Sequence, residues 1–292
     1  MLAAAAAVLA GCSGDGSAKP RVSPPAPQGQ GPGNPDIDEA GGLPTGVQLA
    51  WADEFDVVGL PDASKWTYDI DRNLLGWYNH ELQYFSNARL ENSRVENGFL
   101  NIVARREDLA SLGLADFGGQ RYSSARLVTR GKQAWTYGFI EIRAKLPCGR
   151  GSWPALWMLS EPPQTAWPAD GEIDIMEHVG FNPGLVHDTL HTEGYNHTRG
   201  NARTSTLDVP DACTAFHRYQ LTWNANQIKV GVDDHNYYQY SNDHSGNTEW
   251  PFDSPQYLLL NIAVGGDWGG KLGVDDSIFP IAMEIDYVRV YQ

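Results

Sequence analysis

Between Gly171 and Glu177 the chain reads Gly-Glu-Ile-Asp-Ile-Met-Glu, which places three carboxylates within six residues. Ile173 and Ile175 alternate with acids, so the stretch predicts a strand buried on one face, with Glu172 and Asp174 on the other. Strict alternation would send Glu177 to the buried side. Met176 therefore reads as the extra residue of a β-bulge that re-aims Glu177 beside its partners. Like charges in a row on one sheet face repel, so a structural purpose is a poor explanation. Two carboxyl groups on one surface have the chemistry of glycoside hydrolysis, one attacking the anomeric carbon and one protonating the leaving oxygen. Asp174 between them would tune both through its charge. The competing reading is an acidic strand face turned to water.

Such a row needs a sheet to hold it and loops to edge a groove. From Val47 onward the chain runs in short alternating segments separated by turn residues. Gly98 to Ala104 is strand-like after the Asn97-Gly98 turn, and Gly138 to Leu146 alternates until Pro147 stops it. Tyr219 to Trp223 pairs naturally with Gln227 to Val232 across Asn224-Ala225-Asn226. Tyr257 to Val264 is nearly all apolar and suits a strand covered on both sides. Met283 to Tyr291 alternates to the end. Asp108 to Gln120 and Asn182 to Asp211 read as loops. Many short strands with no convincing amphipathic helix and no fixed repeat predict an all-β, two-sheet β-sandwich of the jelly-roll kind.

With 292 residues, 41% of them hydrophobic, the chain can build one large domain or two small ones. A formal net charge of −15 argues against nucleic acid and anionic membrane surfaces as partners. It also disfavours strongly anionic polysaccharides without a local basic groove, and it suits a neutral polymer. Ten Trp and thirteen Tyr fit the apolar faces of sugar rings, and they fit ordinary core filling equally well.

Residues 1–11 form an alanine-rich apolar run, too short to span a bilayer, that reads as a lipoprotein-type signal peptide. Leu9-Ala10-Gly11-Cys12 resembles a bacterial lipobox, which makes Cys12 the expected lipid-bearing residue and lipid the only expected link to a membrane. The basic flank of such signals is missing. Either the start lies further upstream or the run is only an alanine-rich tail. Residues 12–44, dense in Gly, Pro, Ser and Gln, read as a disordered tether, and residues 45–292 as the folded domain. The expected localisation is exported, at the cell surface or secreted, and the expected state is a monomer. Cys148 and Cys213 suggest one disulfide in an exported protein, with two free buried thiols as the alternative.

Several blocks together resemble glycoside hydrolase family 16. Glu172-Ile-Asp-Ile-Met-Glu177 looks like its signature, in the bulged form of laminarinase-like endo-β-1,3-glucanases. Trp51-Ala-Asp-Glu-Phe55 resembles the family's opening. Gly76-Trp-Tyr-Asn-His-Glu-Leu-Gln-Tyr84 resembles a block usually written with two adjacent asparagines. Tyr122-Ser-Ser-Ala-Arg126, Tyr137-Gly138, Lys145-Leu-Pro147 and Trp153-Pro-Ala-Leu-Trp157-Met-Leu159 follow in family order. Asn261-Ile-Ala-Val-Gly-Gly266 and Asp286-Tyr-Val-Arg-Val-Tyr291 close the chain. The resemblance covers about residues 47–292 and implies a concanavalin-like jelly roll with a concave substrate cleft.

It implies a retaining endo-hydrolase of β-1,3-glucan, with Glu172 as nucleophile, Asp174 assisting and Glu177 as general acid/base. Trp153, Trp157 and Trp167 match tryptophans that meet sugars, with core packing as the alternative. Asn79, Glu81 and Arg126 match groove positions, although His80 replaces the usual second asparagine. His191 matches a histidine near the active centre, and a structural histidine is the equal alternative. Trp268 is expected to edge the leaving-group side or to pack within its loop. No cofactor is implied for catalysis. One structural calcium ion is, held by Glu54, the Gly98 carbonyl and Asp286, against isolated surface acids. Mixed-linkage β-1,3-1,4-glucanase, transglycosylase and a non-catalytic β-glucan-binding module are the alternatives on the same fold.

Overall fold

The computed structural model describes residues 41–161 and 167–292. The expected signal segment, Cys12 and most of the tether lie outside the described residues. The first half carries β1 (Leu49–Asp53), β2 (Thr67–Tyr68), β3 (Gln83–Phe85), β4 (Ser93–Glu96), β5 (Phe99–Arg106), β6 (Tyr122–Ser124), β7 (Arg126–Val128) and β8 (Gly138–Lys145). The second half carries β9 (Ser152–Ser160), β10 (Glu172–His178), β11 (Leu185–His191), β12 (Arg203–Asp208), β13 (His217–Trp223), β14 (Gln227–Val232), β15 (His235–Ser241), β16 (Gln256–Val264) and β17 (Ile281–Tyr291). The helical pieces among the described residues are short 3-10 turns.

These strands build the expected two-sheet sandwich. One sheet has the order β12-β11-β10-β9-β16-β7-β2. The other runs β15-β14-β13-β8-β17-β5-β6-β3, with β1 on β17 and β4 on β5. Ile173, Ile175, Met176, Leu156, Met158, Leu258 and Leu260 from the first sheet share one core with Ile140, Ile142, Tyr219, Leu221 and Val288 from the second. The hairpin expected around Asn224 is present, with Asn224 Oδ1 accepting from the Asn226 and Gln227 amides. All nine residues of β16 are buried, as its apolar run predicts.

Two expectations need correction. Asn182 to Asp211 is not a loop throughout, because it contains β11 and β12. Its sequence hides them: β11 carries polar His187, Asp188 and Thr189 in its middle, and β12 is a polar edge strand. The folded part also begins before residue 45. The Gly41 amide donates to Asp234 O at 2.7 Å, and a Cβ on Gly41 would lie 2.6 Å from the Asp234 carbonyl carbon. Only a residue without a side chain fits that approach.

Cys148 and Cys213 are bonded, 65 residues apart in sequence, beside the Leu146 N to Ala212 O hydrogen bond. The bridge ties the end of β8 to the segment that leads into β13. In the chain-entropy account a loop of that length contributes up to about 4 kcal/mol. Cys213→Ser is therefore expected to lower the melting midpoint by roughly 10 °C for a domain of this size. A thermal melt with and without reductant checks this, since the variant should melt alike in both.

Candidate active site

The register of three strands writes the floor of one cleft. On β9, Trp153, Ala155, Trp157 and Leu159 face outward, while Leu156 and Met158 enter the core. Ala155 pairs with Asn261, and Trp153 with Ala263, so the outward face continues onto β16. On the other side β10 brings Glu172 and Asp174 to the same face. The cleft is about 710 Å³ and is also lined by Asp69, Trp77, Tyr78, Asn79, Glu81, Arg126, Trp167, Glu177, His197, Thr198 and Tyr257.

The bulge lies where the acid spacing required it, and two residues share it. Against β9, Asp174 pairs with Trp157 and Met176 with Leu156, so Ile175 is the residue passed over. Against β11, Asp174 pairs with Thr189 and Glu177 with His187, which leaves Ile175 and Met176 together opposite Asp188. Both side chains are buried. Met176 is thus not the lone extra residue. The pair turns inward together, and Glu177 emerges on the cleft side.

Each outer acid meets an indole donor. Trp167 Nε1 donates to Glu172 Oε2 at 2.6 Å, and Trp153 Nε1 donates to Glu177 Oε1 at 3.0 Å. Asp174 between them is 2% exposed. Burial pushes its carboxyl well above the ordinary range, and the Glu172 charge and a hydrogen bond with Glu172 push it further. Glu177 is likewise raised well above the ordinary range, by burial first and then by Asp174. The Trp153 hydrogen bond opposes that rise by favouring the charged form. A site with two carboxyl groups raised above the ordinary range beside a third acid can deliver a proton and a nucleophile from one strand.

The other expected residues fall on both sides of expectation. Trp157 Nε1 donates to Asn261 Oδ1 at 2.8 Å on the cleft floor. Arg126 is sandwiched, its guanidinium 4.6 Å from the Trp77 ring, 4.7 Å from Phe85 and 5.2 Å from Trp157. It pairs with Asp69 at 3.5 Å and Glu81 at 3.9 Å. Burial pushes the Glu81 carboxyl up, while Arg126 and the hydrogen bonds from Gln83 and Asn79 hold it down. Asn79 lines the cleft, whereas His80 turns away to pair with Asp267 at 2.9 Å. The substitution of asparagine by histidine there does not reach the floor.

His191 lies behind the acids, 5% exposed, 3.3 Å from Asp174 and 3.8 Å from Glu172. Of the two settings expected for Trp268, edging the leaving-group side or packing, the structure places it edge-on against Trp153 at 5.5 Å and His187 at 4.8 Å. It buttresses a cleft residue without lining the cleft. His197 and Thr198 line the cleft beside Trp167, and the sequence did not single them out. Their only sequence signal was the polar stretch read as loop.

The two carboxylates expected at the calcium position are each paired with an arginine. Glu54 is engaged by a two-pronged pair with Arg289, both contacts 2.8 Å, and Asp286 by Arg143. Both carboxylates already hold a guanidinium.

Asp188, opposite the bulge, is fully buried on the core face near the Tyr237 hydroxyl. Burial raises its carboxyl well above the ordinary range. A carboxyl raised in the folded state stabilises fully below its unfolded value and loses that contribution as pH rises through the folded value. Asn keeps the shape without a proton to take up. Asp188→Asn is expected to melt higher than wild type at pH 8, with the gap closing toward pH 4. Parallel melts across that range would refute the account if the gap stayed constant.

A β-sandwich whose cleft carries three acids on one bulged strand, two of them met by indole N–H groups, has the architecture of a glycoside hydrolase. A family model described as glycosyl hydrolases family 16 matches residues 80–289. The chain belongs to that family. It is 51% identical over 253 residues to a beta-glucanase of Rhodothermus marinus, covering 84% of this chain and 85% of that one. The solved laminarinase of Rhodothermus marinus superposes with a TM-score of 0.79 at 51% identity, covering 84% of this chain and 97% of that one. A solved family 16 enzyme described as a non-specific endo-beta-1,3(4)-glucanase gives a TM-score of 0.83 at 50% identity, covering 89% and 98%.

Proposed function

We propose that this chain is a retaining endo-hydrolase of β-1,3-glucan, with Glu172 as nucleophile and Glu177 as general acid/base. The observation that carries the reading is the row Glu172, Asp174, Glu177 on one face of a cleft of about 710 Å³, floored by Trp153 and Trp157. In the first step Glu172 attacks the anomeric carbon while Glu177 gives its proton to the leaving oxygen. The C–O bond to the leaving sugar breaks and an ester to Glu172 forms. In the second step Glu177, now charged, takes a proton from water, and that water displaces Glu172. Burial and then the Asp174 charge raise the Glu177 carboxyl, which favours the protonated form needed for the first step, and the Glu172 charge and a hydrogen bond with Glu172 raise Asp174 in turn.

The similarity to a laminarinase and to a beta-glucanase supports β-1,3-glucan as substrate. The similarity to an enzyme described as acting on β-1,3(4)-glucan favours mixed-linkage glucan as a second substrate. Product analysis on laminarin, curdlan, lichenan and agarose side by side, with the new anomer followed by NMR, tests both. The expected result is β-anomer released first from laminarin and curdlan. Initial release of the α-anomer would overturn the mechanism, and cleavage of agarose alone would overturn the substrate.

We also propose export, with a lipid on Cys12. The support is the Leu9-Ala10-Gly11-Cys12 block after an apolar run and ahead of a Gly/Pro/Ser-rich tether. In a bacterial host Cys12→Ala should move the protein from the membrane fraction to the soluble one, and an unchanged distribution would remove the anchor. The monomeric state is a matching proposal that light scattering decides.

A further inference from the structure

Glu172, Asp174 and His191 bring two carboxyl oxygens and one imidazole nitrogen within 4.8 Å of one another. His191 Nε2 stands 3.3 Å from Asp174 Oδ2 and 3.8 Å from Glu172 Oε1. Asp174 is 98% buried and its Oδ2 has no hydrogen-bond partner, so the approach of His191 is close contact without hydrogen-bond geometry. Trp167 occupies the other oxygen of Glu172, Oε2, which leaves Oε1 on the side of His191. Three lone-pair atoms therefore converge, and one of them is buried without a hydrogen bond.

The spacing fits an ion. Ligands about 2.0–2.1 Å from a tetrahedral zinc stand about 3.3–3.4 Å from each other. The His191–Asp174 separation already has that value, Glu172 Oε1 stands a few tenths of an ångström beyond it from His191, and all three atoms lie within 4.8 Å of one another. Glu172 lines the cleft, so the fourth position opens to water. One imidazole with two carboxylates suits zinc or copper better than magnesium or calcium. The second convergence of metal-binding types, Cys148 with His178 and Cys213, has both sulfurs committed to the disulfide.

We propose that Glu172, Asp174 and His191 form a binding site for a divalent cation of the zinc type, and that its occupancy and glucan hydrolysis exclude each other. The exclusion rests on the nucleophile assigned above: a cation on Glu172 Oε1 takes the electron pair that would attack the sugar. The binding itself rests on geometry alone. Zinc would then act as a reversible brake on the enzyme.

Calorimetric titration of zinc into the chelator-treated, full-length protein at neutral pH tests this. The expected result is one zinc per chain, with binding at least tenfold weaker in His191→Gln and in Glu172→Gln and with magnesium failing to compete. His217→Gln serves as the control, because His217 touches Asp211 at 3.1 Å and Asp233 at 2.7 Å and offers a rival surface site. Zinc binding that persists in both site variants, that disappears in the His217 variant, or that never saturates in the wild type would overturn the proposal. Circular dichroism establishes folding of each variant, and if one of the two site variants misfolds the other decides. The readout is heat of binding, so a chain inactive on laminarin would refute the functional reading and the exclusion with it, and leave the cation site standing.

Discussion

Replacing Glu172 with glutamine is expected to lower laminarin hydrolysis by about 10⁴-fold or more while oligosaccharide binding changes little. Gln keeps an oxygen to accept from Trp167 Nε1, so the local geometry survives and only the attacking charge is lost. A smaller residue gives a sharper result. Glu172→Ala leaves room for azide beside the anomeric carbon, and azide attacking an activated β-glucoside from that side yields the α-azide. Hydrolysis by Glu172→Gln at near wild-type rate, or azide products of β configuration from Glu172→Ala, would remove Glu172 from its role.

Glu177→Ala is expected to lose about 10²–10⁴-fold on laminarin and far less on a substrate whose leaving group needs no proton. Its glycosyl-enzyme should accumulate and be released by azide as the β-azide, the opposite anomer from that of Glu172→Ala. The pH profile gives a second reading. Glu177 must be protonated to act, so wild-type activity falls as pH rises through its elevated value. Trp153→Phe removes the N–H that favours the charged form. Its alkaline limb should therefore move to higher pH, and a move to lower pH would contradict the electrostatic account.

Much of this site was legible because a strand declares its faces in its sequence. The alternation over Gly171 to Ile175 places Glu172 and Asp174 together, and Glu177 demands a bulge. Which residue makes the bulge was not legible, since pairing on two sides involves both Ile175 and Met176. β11 was invisible because its outward positions, His187, Thr189 and His191, serve the cleft side and break the apolar signal. The setting of Arg126 was invisible for another reason: Trp77, Phe85 and Trp157 reach it from distant strands. Resemblance named the positions Glu54 and Asp286 but could not foresee that Arg289 and Arg143 would claim their charge. Long-range partners follow from topology, and topology is only weakly written in local pattern.

The cleft floor and the core are spelled in alternate letters of the same two strands. On β9 and β16 the odd-numbered positions meet the polymer side, and the even-numbered ones, Leu156, Met158, Leu258, Leu260 and Ile262, hold the sandwich together. Selection can therefore change the floor without touching a core residue of the sandwich, although Tyr257 and Leu259 of the floor parity are themselves buried with Val128. A family built this way can diversify its menu of polysaccharides quickly. Its scaffold can stay still while that happens.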